Sequence, residues 1–259
     1  MGVTSWPRCV VGGVLVGLFG MTGEAQARDW RAPEPWPEAA PRVLLIGDSN
    51  IYGPVGDTLQ AGLVASGYAV WRRGRPSTGL SRPDRWDWFE QAHDMIEASR
   101  PTAVIVQFGG NDVLYLRWRG DRKRRVSFRD EPAWRTEYAN RVRDFLRLLG
   151  ADGRHVYLMS PTNRGVGLAQ VERVREVQRE VATSMLGVTF IDMFPLTSDA
   201  RGRWLHSVIE NGRRVVVRRW DTVHFNEAGG LVIGERVLAS LRTAGMAVGS
   251  TSHQQPSGQ

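Results

Sequence analysis

The stretch "VLLIGDSNIYGP", residues 43–54, begins like a buried strand and stops abruptly at Gly47-Asp48-Ser49. A nearly continuous apolar run of this kind is typical of a strand that is covered on both faces, as in a parallel sheet. The break has two interpretations. It is either an ordinary strand-to-loop turn, or a turn that raises Ser49 to the rim of a sheet where its hydroxyl can react. The turn residues alone do not decide between the two, so the rest of the chain must.

Further strand-like runs alternate with amphipathic segments along the chain. Including the first, the predicted strands are 42–48, 68–73, 102–108, 155–160 and 188–193. Apolar residues recur every three or four positions in 89–96, 134–149 and 168–185, which is the period of a helix. Strands and helices in alternation predict a doubly wound α/β sandwich with right-handed crossovers. Residues 204–220 depart from this pattern and predict a small β-hairpin turning at Asn211-Gly212.

The two ends of the chain have a different composition from the middle. Residues 1–27 combine a basic start, an apolar run too short to span a bilayer and a small-x-small site ending at Ala27, so we predict a signal peptide cleaved after Ala27. The alternative is an uncleaved amphiphilic anchor. Residues 28–41 predict a Pro-rich tether, 42–246 the folded domain and 247–259 a disordered tail. The expected location is periplasmic or extracellular.

Composition narrows the classes of partner. The chain has 259 residues, a formal net charge of +7 and one cysteine, Cys9, which lies in the predicted signal peptide. The mature protein therefore has no disulfide and depends on a hydrophobic core, which a single domain of this size can build. The positive charge favours anionic partners such as acidic glycans or anionic lipid surfaces. Export argues against nucleic acid.

Reactive groups in open α/β sheets gather beyond the carboxyl ends of the strands. Ser49 follows the first predicted strand, Gly79 follows the second, and Asn111 follows the third. Asp221 and His224 come shortly before the last helix, which Asn226 is predicted to cap. One rim of the predicted sheet thus collects a serine, a glycine, an asparagine and an Asp-x-x-His.

Acyl transfer from an ester needs this set of groups. A serine hydroxyl becomes a good nucleophile when an imidazole takes its proton, which points to Ser49 and His224. The imidazole needs a carboxylate to hold its tautomer, and Asp221 is the candidate. The oxyanion needs preorganised donors, for which we expect the backbone N–H groups of Ser49 and Gly79 and the amide of Asn111. This chemistry requires no metal and no cofactor.

The four motifs resemble the sequence blocks of the SGNH (GDSL-type) hydrolases, in the family's order and over nearly all of residues 42–245. The resemblance implies a flavodoxin-like three-layer α/β/α sandwich with a five-stranded parallel sheet, and Ser/Gly/Asn/His catalysis on ester or acyl groups. "STGLSRPDRWDW" and the Arg-rich segment 117–129 are similar to an exported bacterial subfamily of poorly defined function. Asn50 departs from the leucine of many relatives, at a variable position.

Each assignment has a plainer alternative. Asp48 is better explained as a brace for the turn that presents Ser49 than as a participant in chemistry. Gly79 can be a simple loop glycine, and Asn111 can cap a helix or close a turn. The other histidines lie in settings that favour structural or solvated roles: His93, His155, His206 and His253.

The Arg-rich segment 117–129 is either a solvated loop or a positive flank of the active site. In the second case Arg117 and Arg119 would dock anionic or sugar-rich substrates, and Trp118 would stack on them. Trp86 and Trp88 are further candidates for a sugar-facing surface, because they too flank the catalytic loops.

The sequence as a whole predicts an exported serine esterase or O-acyltransferase that acts on acyl esters, most simply acetyl esters. Cell-envelope or extracellular polysaccharide is the expected substrate context, and a membrane-associated partner would deliver acyl groups if the reaction is transfer. The alternatives are a lipase or thioesterase of the same fold, and a non-catalytic glycan-binding or assembly protein that keeps the fold as a platform.

Overall fold

Five parallel strands form the central sheet of the computed structural model, which describes residues 39–118, 121–210 and 212–249. In chain order the elements are β1 (Arg42–Gly47), α1 (Ser49–Tyr52), α2 (Pro54–Ala65), β2 (Ala69–Gly74), α3 (Trp88–Ser99), β3 (Ala103–Gln107), β4 (Leu116–Trp118), β5 (Asp121–Val126), α4 (Glu131–Gly150), β6 (His155–Met159), α5 (Leu168–Thr183), β7 (Val188–Ile191), α6 (Met193–Leu196), β8 (Ser207–Glu210), β9 (Arg213–Val216) and α7 (Glu227–Thr243). The strand order is β2-β1-β3-β6-β7. This confirms the predicted five-stranded parallel sheet.

Both faces of the sheet are covered by helices. Alternate residues of a strand point to opposite faces, so Leu44 and Ile46 of β1 pack with helices α3, α4 and α5, whereas Val43 and Leu45 pack with α2 and α7. Each of these four side chains is at most 1% exposed. Because β1, β3 and β6 are buried over nearly all of their length, they are almost continuously apolar, which made them recognisable in the sequence.

Strand order places the functional site. β1 lies between β2 and β3. The connection after β1 leads to β2 on one side, and the next connection crosses back to β3 on the other side. A crevice forms at such a reversal, beyond the carboxyl ends of the strands. The loop after β1 carries Ser49 and the loop after β3 carries Asn111, so both open into this crevice.

Two antiparallel hairpins are added to the sandwich. β8 and β9 form the predicted hairpin, with Glu210 paired to Arg213. The second, β4 and β5, was not predicted: Leu116 pairs with Val126 and Arg117 with Arg125. This segment was expected to be a loop or a charged flank, because its run of basic residues hides the alternation of a strand. Leu116 is fully buried and fastens the hairpin to the α4 side of the core.

The folded region continues past the predicted boundary at residue 246. Val248 is 5% exposed in the core beside α2 and α7, and the N–H of Gly249 donates to Oγ of Ser66 at 2.9 Å. The tail prediction was therefore wrong for 247–249, since a buried valine anchors them. The rest of the tail (250–259), the signal peptide (1–27), residues 28–38 of the tether, and Asn211 lie outside the described residues. In the part of the chain that the structure describes, no helix is long and apolar enough to cross a membrane.

Candidate active site

The turn after β1 places Ser49 at the first residue of α1. A Cβ atom on Gly47 would lie 2.4 Å from the carbonyl oxygen of Gln107, so only glycine lets β1 end this close to β3. Asp48 caps α1: its Oδ1 accepts from the N–H of Asn50 at 3.0 Å, and its own N–H donates to Gln107 O at 3.1 Å. Asp48 is thus the brace that the sequence predicted, and the chain turns here to present Ser49.

Ser49, His224 and Asp221 form a continuous hydrogen-bonded chain. Nε2 of His224 lies 3.0 Å from Oγ of Ser49, and Nδ1 lies 2.7 Å from Oδ2 of Asp221. The other carboxylate oxygen, Oδ1, accepts from the N–H groups of Val223 and His224, both at 2.9 Å. The carboxylate favours the tautomer with a proton on Nδ1, which leaves Nε2 as an acceptor for the serine proton.

Backbone strain shapes the loop between Asp221 and His224. Thr222 has a φ of 61°, in the left-handed region that a β-branched residue rarely adopts. Its carbonyl accepts from the N–H of Gly165 at 3.3 Å, so the loop after β6 holds it in place. Such conformations cost on the order of 1–3 kcal/mol and persist only where their surroundings enforce them. Here the strained turn allows one carboxylate to cap the loop and reach the imidazole.

Arg218 stabilises the same loop, and it was not among the predicted site residues. The residue is 2% exposed. Its guanidinium donates to the carbonyl oxygens of Val223 and Asn163 and stacks on the ring of Phe225 at 3.7 Å. Nothing in the sequence separates Arg218 from the exposed arginines around it, because its burial depends on the docking of two distant loops.

A second arginine, Arg164, lies under the nucleophile turn. Its Nη1 donates to the carbonyl oxygen of Gly110 at 3.0 Å, and its charge acts on Asp48. Arg164 was not predicted either, although it follows β6 at the same edge of the sheet as the other site residues. Its position after the fourth predicted strand is a signal that could have identified it.

The pKa values of the site carboxyls shift in opposite directions. Desolvation by itself would raise the pKa of Asp221, but the hydrogen bonds from His224 and Val223 outweigh it and hold the pKa at about 2. Burial raises the pKa of Asp48 to about 7, against the opposing effects of the Asn50 N–H and the charges of His224 and Arg164. Asp221 is consequently an anion at neutral pH, whereas Asp48 is partly protonated.

A hydrogen bond from Asn111 to Thr78 connects Asn111 with the loop that carries Gly79. Nδ2 of Asn111 donates to the carbonyl oxygen of Thr78 at 3.0 Å, and its second hydrogen has no acceptor within the described part of the chain. A Cβ on Gly79 would lie 2.3 Å from Oδ1 of buried Asp112. Asp112 also accepts from Ser81 N and Tyr138 Oη, both at 2.8 Å, so it braces this loop as expected.

A pocket of about 260 Å³ opens beside the nucleophile. Ser49 and His224 line it, together with Asn50, Tyr52, Gly53, Pro54, Val55, Pro76, Arg219 and Phe225. Gly79 and Asn111 are not among its lining residues, so their oxyanion roles stay predictions. Within the described ranges, no group of three or more His, Cys, Asp or Glu residues is arranged to hold a metal ion.

Two of the predicted substrate-binding residues of the Arg-rich segment, Trp118 and Arg117, have partners away from the pocket of Ser49. Trp118 is enclosed by the guanidinium groups of Arg124 and Arg141, at 4.0 and 4.5 Å from its ring, and Arg117 stacks on Tyr115 at 5.1 Å. Neither Trp118 nor Arg117 lines the pocket of Ser49. Their role in binding substrate stays a prediction, and Arg119 lies outside the described residues.

The tryptophans near the site are also distributed differently from the expectation. Trp88 is 1% exposed and donates to Oγ1 of Thr78 at 3.0 Å, so it is a core residue and the prediction that it faces sugar was wrong. Trp86 is covered by the guanidinium of Arg75, at 3.9 Å. Trp220, which was not predicted to lie at the site, is 94% exposed and follows pocket residue Arg219 directly.

Replacing Asp48 with asparagine should alter how stability depends on pH. The raised pKa means that the folded state binds a proton more tightly than the unfolded chain, so Asp48 stabilises the fold at low pH and this contribution is lost as pH rises from about 4 to about 7. Asparagine keeps the capping oxygen but does not ionise. We expect the stability of Asp48→Asn relative to wild type to increase with pH, by up to about 1.4 kcal/mol per pH unit. Urea unfolding between pH 4 and pH 8 measures this.

The control for that measurement is Asp144→Asn, which removes a carboxylate from the exposed side of α4. A stability difference between Asp48→Asn and wild type that stays constant with pH would contradict the assigned ionisation of Asp48.

Comparison with known families identifies the chain. The model of the DUF459 family, described as a protein of unknown function, matches residues 42–240, which include every residue of the site. The chain belongs to the DUF459 family. Among curated proteins, none matches this sequence.

Solved structures show how this DUF459 chain folds. A GDSL-like lipase from Bacteroides thetaiotaomicron matches with a TM-score of 0.54 at 14% identity, over 78% of this chain and 88% of the other. The salicylyl-acyltransferase SsfX3 of a tetracycline biosynthetic pathway matches with 0.54 at 14% identity, over 81% and 57%. A psychrotrophic esterase from Pseudoalteromonas sp. matches with 0.50 at 14% identity, over 78% and 97%. The predicted SGNH-type fold is confirmed. Identities this low establish the fold alone.

Proposed function

We propose that this DUF459 chain is an exported serine esterase or O-acyltransferase in which Ser49, His224 and Asp221 act as the catalytic triad. The observation that carries the proposal is the hydrogen-bonded chain from Ser49 Oγ through the imidazole to the Asp221 carboxylate, at the wall of a pocket. The fold is shared with proteins named as a lipase, an esterase and an acyltransferase. A turn serine without chemical function would not need an oriented imidazole and carboxylate.

The geometry supports a two-step reaction. His224 Nε2 takes the proton of Ser49 as Oγ attacks the ester carbonyl, and the imidazolium then gives that proton to the departing alkoxide as the ester C–O bond breaks. The acyl group is left on Ser49. Water, or a sugar hydroxyl in the transfer reaction, gives its proton to His224 and attacks the acyl-enzyme, which releases Ser49. Asp221 stays ionised throughout and stabilises the imidazolium.

The negative charge of the tetrahedral intermediates needs nearby donors. The backbone N–H of Ser49 and the second Nδ2 hydrogen of Asn111 are our candidates, with the N–H of Gly79 as the third. Asp112 and the Asn111–Thr78 hydrogen bond hold the Gly79 loop rigid. A rigid loop costs little reorganisation when charge develops, which is the requirement for an oxyanion hole.

Pocket size favours short acyl groups. At about 260 Å³ the pocket lies at or below the lower end of typical small-molecule sites, which span roughly 300–1,000 Å³. An acetyl group fits this volume more readily than a long fatty-acyl chain, which supports an acetyl esterase or acetyltransferase over a lipase or thioesterase. Polysaccharide as the substrate, the signal peptide and a membrane-associated acyl donor remain parts of the proposal that rest on the sequence.

Covalent labelling with a fluorophosphonate tests the proposal at the nucleophile. The probe phosphonylates a serine only when a neighbouring base activates it; the Pseudoalteromonas esterase was itself solved as inhibited by monoethylphosphonate. We expect stoichiometric labelling of wild type by intact mass, located to Ser49 by peptide mapping, and none in Ser49→Ala. A wild-type protein that stays unlabelled while a known serine esterase labels in parallel would favour the non-catalytic binding platform.

A further inference from the structure

Arg219 lines the same pocket as Ser49 and His224 and is rigidly connected to the triad through its backbone. Its N–H donates to the carbonyl oxygen of His224 at 2.9 Å, and its own carbonyl accepts from the N–H of Thr222 at 3.1 Å. These two bonds couple the backbone of Arg219 to the loop that carries the imidazole. The backbone from which the Arg219 side chain extends is therefore held in a defined position near Ser49 and His224.

The other arginines around the site already have partners. Arg72 pairs with Asp57 at 2.5 Å, Arg164 donates to Gly110, and Arg218 donates to two loop carbonyls. Among residues 39–118, 121–210 and 212–249, by contrast, no hydrogen bond, ion pair or ring contact engages the guanidinium of Arg219. This is the charged side chain of the pocket that remains available for a ligand.

Among the residues that the structure describes, the pocket wall also has no carboxylate that would neutralise Arg219. Its lining, within the described residues, contains no Asp or Glu. The nearest carboxyl in sequence, Asp221, is occupied by three hydrogen bonds from His224 and Val223, and Asp48 is 2% exposed beneath the turn. Arg219 is exposed at the wall of a small, mostly apolar pocket, where its positive charge attracts and orients anions that enter.

We infer that Arg219 forms an anion-binding subsite that selects esters carrying a carboxylate close to the scissile bond. A guanidinium binds a carboxylate through two parallel N–H donors, so it can recognise orientation as well as charge. The carboxylate belongs either to the acyl group, as in a dicarboxylic acid half-ester, or to the alcohol, as in an acetylated uronic acid. The inference rests on the proposed esterase function and names its substrate class.

Two pairs of chromogenic esters test the subsite. The first pair, p-nitrophenyl hemisuccinate and p-nitrophenyl methyl succinate, places or removes the charge in the acyl half. The second, 4-acetoxybenzoate and its methyl ester, does the same in the alcohol half. We expect wild type to prefer the anionic member of one pair by about 10- to 100-fold in kcat/KM. The pair that shows the preference identifies the half that Arg219 contacts, and added salt should reduce the preference.

Substitution then assigns the preference to Arg219. In Arg219→Gln the ratio of kcat/KM for anionic to neutral ester should fall to about one, and Arg219→Lys should restore part of it. The control is Arg147→Gln, which removes the same charge at the far end of α4, beside the amino ends of the strands. It should keep the wild-type ratio. Equal rates on both members of both pairs, or a preference that survives Arg219→Gln, would overturn the inference.

A binding measurement separates this inference from the proposed function. Each anionic ester (monomethyl succinate and 4-acetoxybenzoate) and its uncharged methyl ester are titrated calorimetrically into Ser49→Ala, with and without Arg219→Gln. Charge-selective binding that disappears in the double variant supports the subsite even if wild type hydrolyses no ester, in which case only the proposed function fails. Turnover of neutral esters with no charge-selective binding would instead overturn the subsite and leave the proposed function standing.

Discussion

Replacing Ser49 with alanine is expected to lower kcat for p-nitrophenyl acetate hydrolysis by about 10⁴- to 10⁶-fold, which leaves no measurable enzymatic rate. The hydroxyl is the group that forms the acyl-enzyme, and no other side chain that lines the pocket within the described residues offers an activated nucleophile. His224→Ala should cause a loss of similar size, because an unassisted serine hydroxyl is a poor nucleophile. Steady-state kinetics on purified residues 28–259 measures both.

The two losses should not add. Residues that act as one unit give a double variant hardly worse than either single variant, so Ser49→Ala/His224→Ala should match Ser49→Ala. Ser240→Ala is the control, since it removes a serine hydroxyl on α7 that bonds to a carbonyl of its own helix. Thermal unfolding should show all variants folded, because the hydrogen bond lost with Ser49 Oγ is its contact with His224. Turnover by Ser49→Ala at more than a few per cent of wild type would refute the assigned nucleophile.

Asp221→Asn is expected to reduce kcat by about 10⁴-fold while the fold stays intact. The amide oxygen of asparagine can still accept from the N–H groups of Val223 and His224, so the loop keeps its shape. The amide nitrogen, however, replaces Oδ2 opposite Nδ1 of the imidazole. Two donors cannot face each other, so the proton moves to Nε2, and His224 can no longer accept the serine proton.

The wild-type pH profile and a second variant, Asp221→Ala, separate this tautomer effect from a change in ionisation and from general disruption. Since the pKa of Asp221 is held at about 2, the carboxylate remains ionised across the whole working range and does not titrate in the wild-type activity profile above about pH 4. Asp221→Ala should lose the loop cap as well and unfold at lower temperature than Asp221→Asn. Full activity of Asp221→Asn from pH 5 to pH 9 would remove Asp221 from the proposed triad.

The sandwich was predictable because its strands are buried on both faces. Val43, Leu44, Leu45 and Ile46 alternate between two cores, yet all four are apolar, so the strand is visible without an alignment. The hairpin β8–β9 was predictable from its turn. The hairpin β4–β5 was not, because a basic and largely exposed strand such as Asp121–Val126 carries no hydrophobic alternation. Val248 was missed for a related reason: a single buried residue in a polar tail has no periodicity.

The candidate triad was predicted from the rule that groups after parallel strands meet at one edge of the sheet, together with the resemblance of the four motifs to the SGNH hydrolases. The rule places Ser49 at this rim, the Asp221–His224 loop was assigned from its Asp-x-x-His motif just before the last helix, and the contacts in the structure bring the two together. The rule about strand ends did not distinguish Trp88, which lies in the core, from Trp220, which faces solvent. Nor did this rule separate the adjacent residues Arg218 and Arg219, of which the first is buried and the second is exposed.

The sequence alone determined the class of fold and the positions of the apolar strands along the chain. It also determined the residue types that acyl chemistry needs at the rim of the sheet. These are local or periodic properties, and each is visible within a few residues. Only the tertiary structure decided that Arg164 and Arg218 bond to loop carbonyls whereas Arg219 is open to a ligand. It also decided how Thr222 is held in a strained turn and how small the pocket is. These properties arise where loops distant in sequence pack together, and exposure and free volume are defined only there.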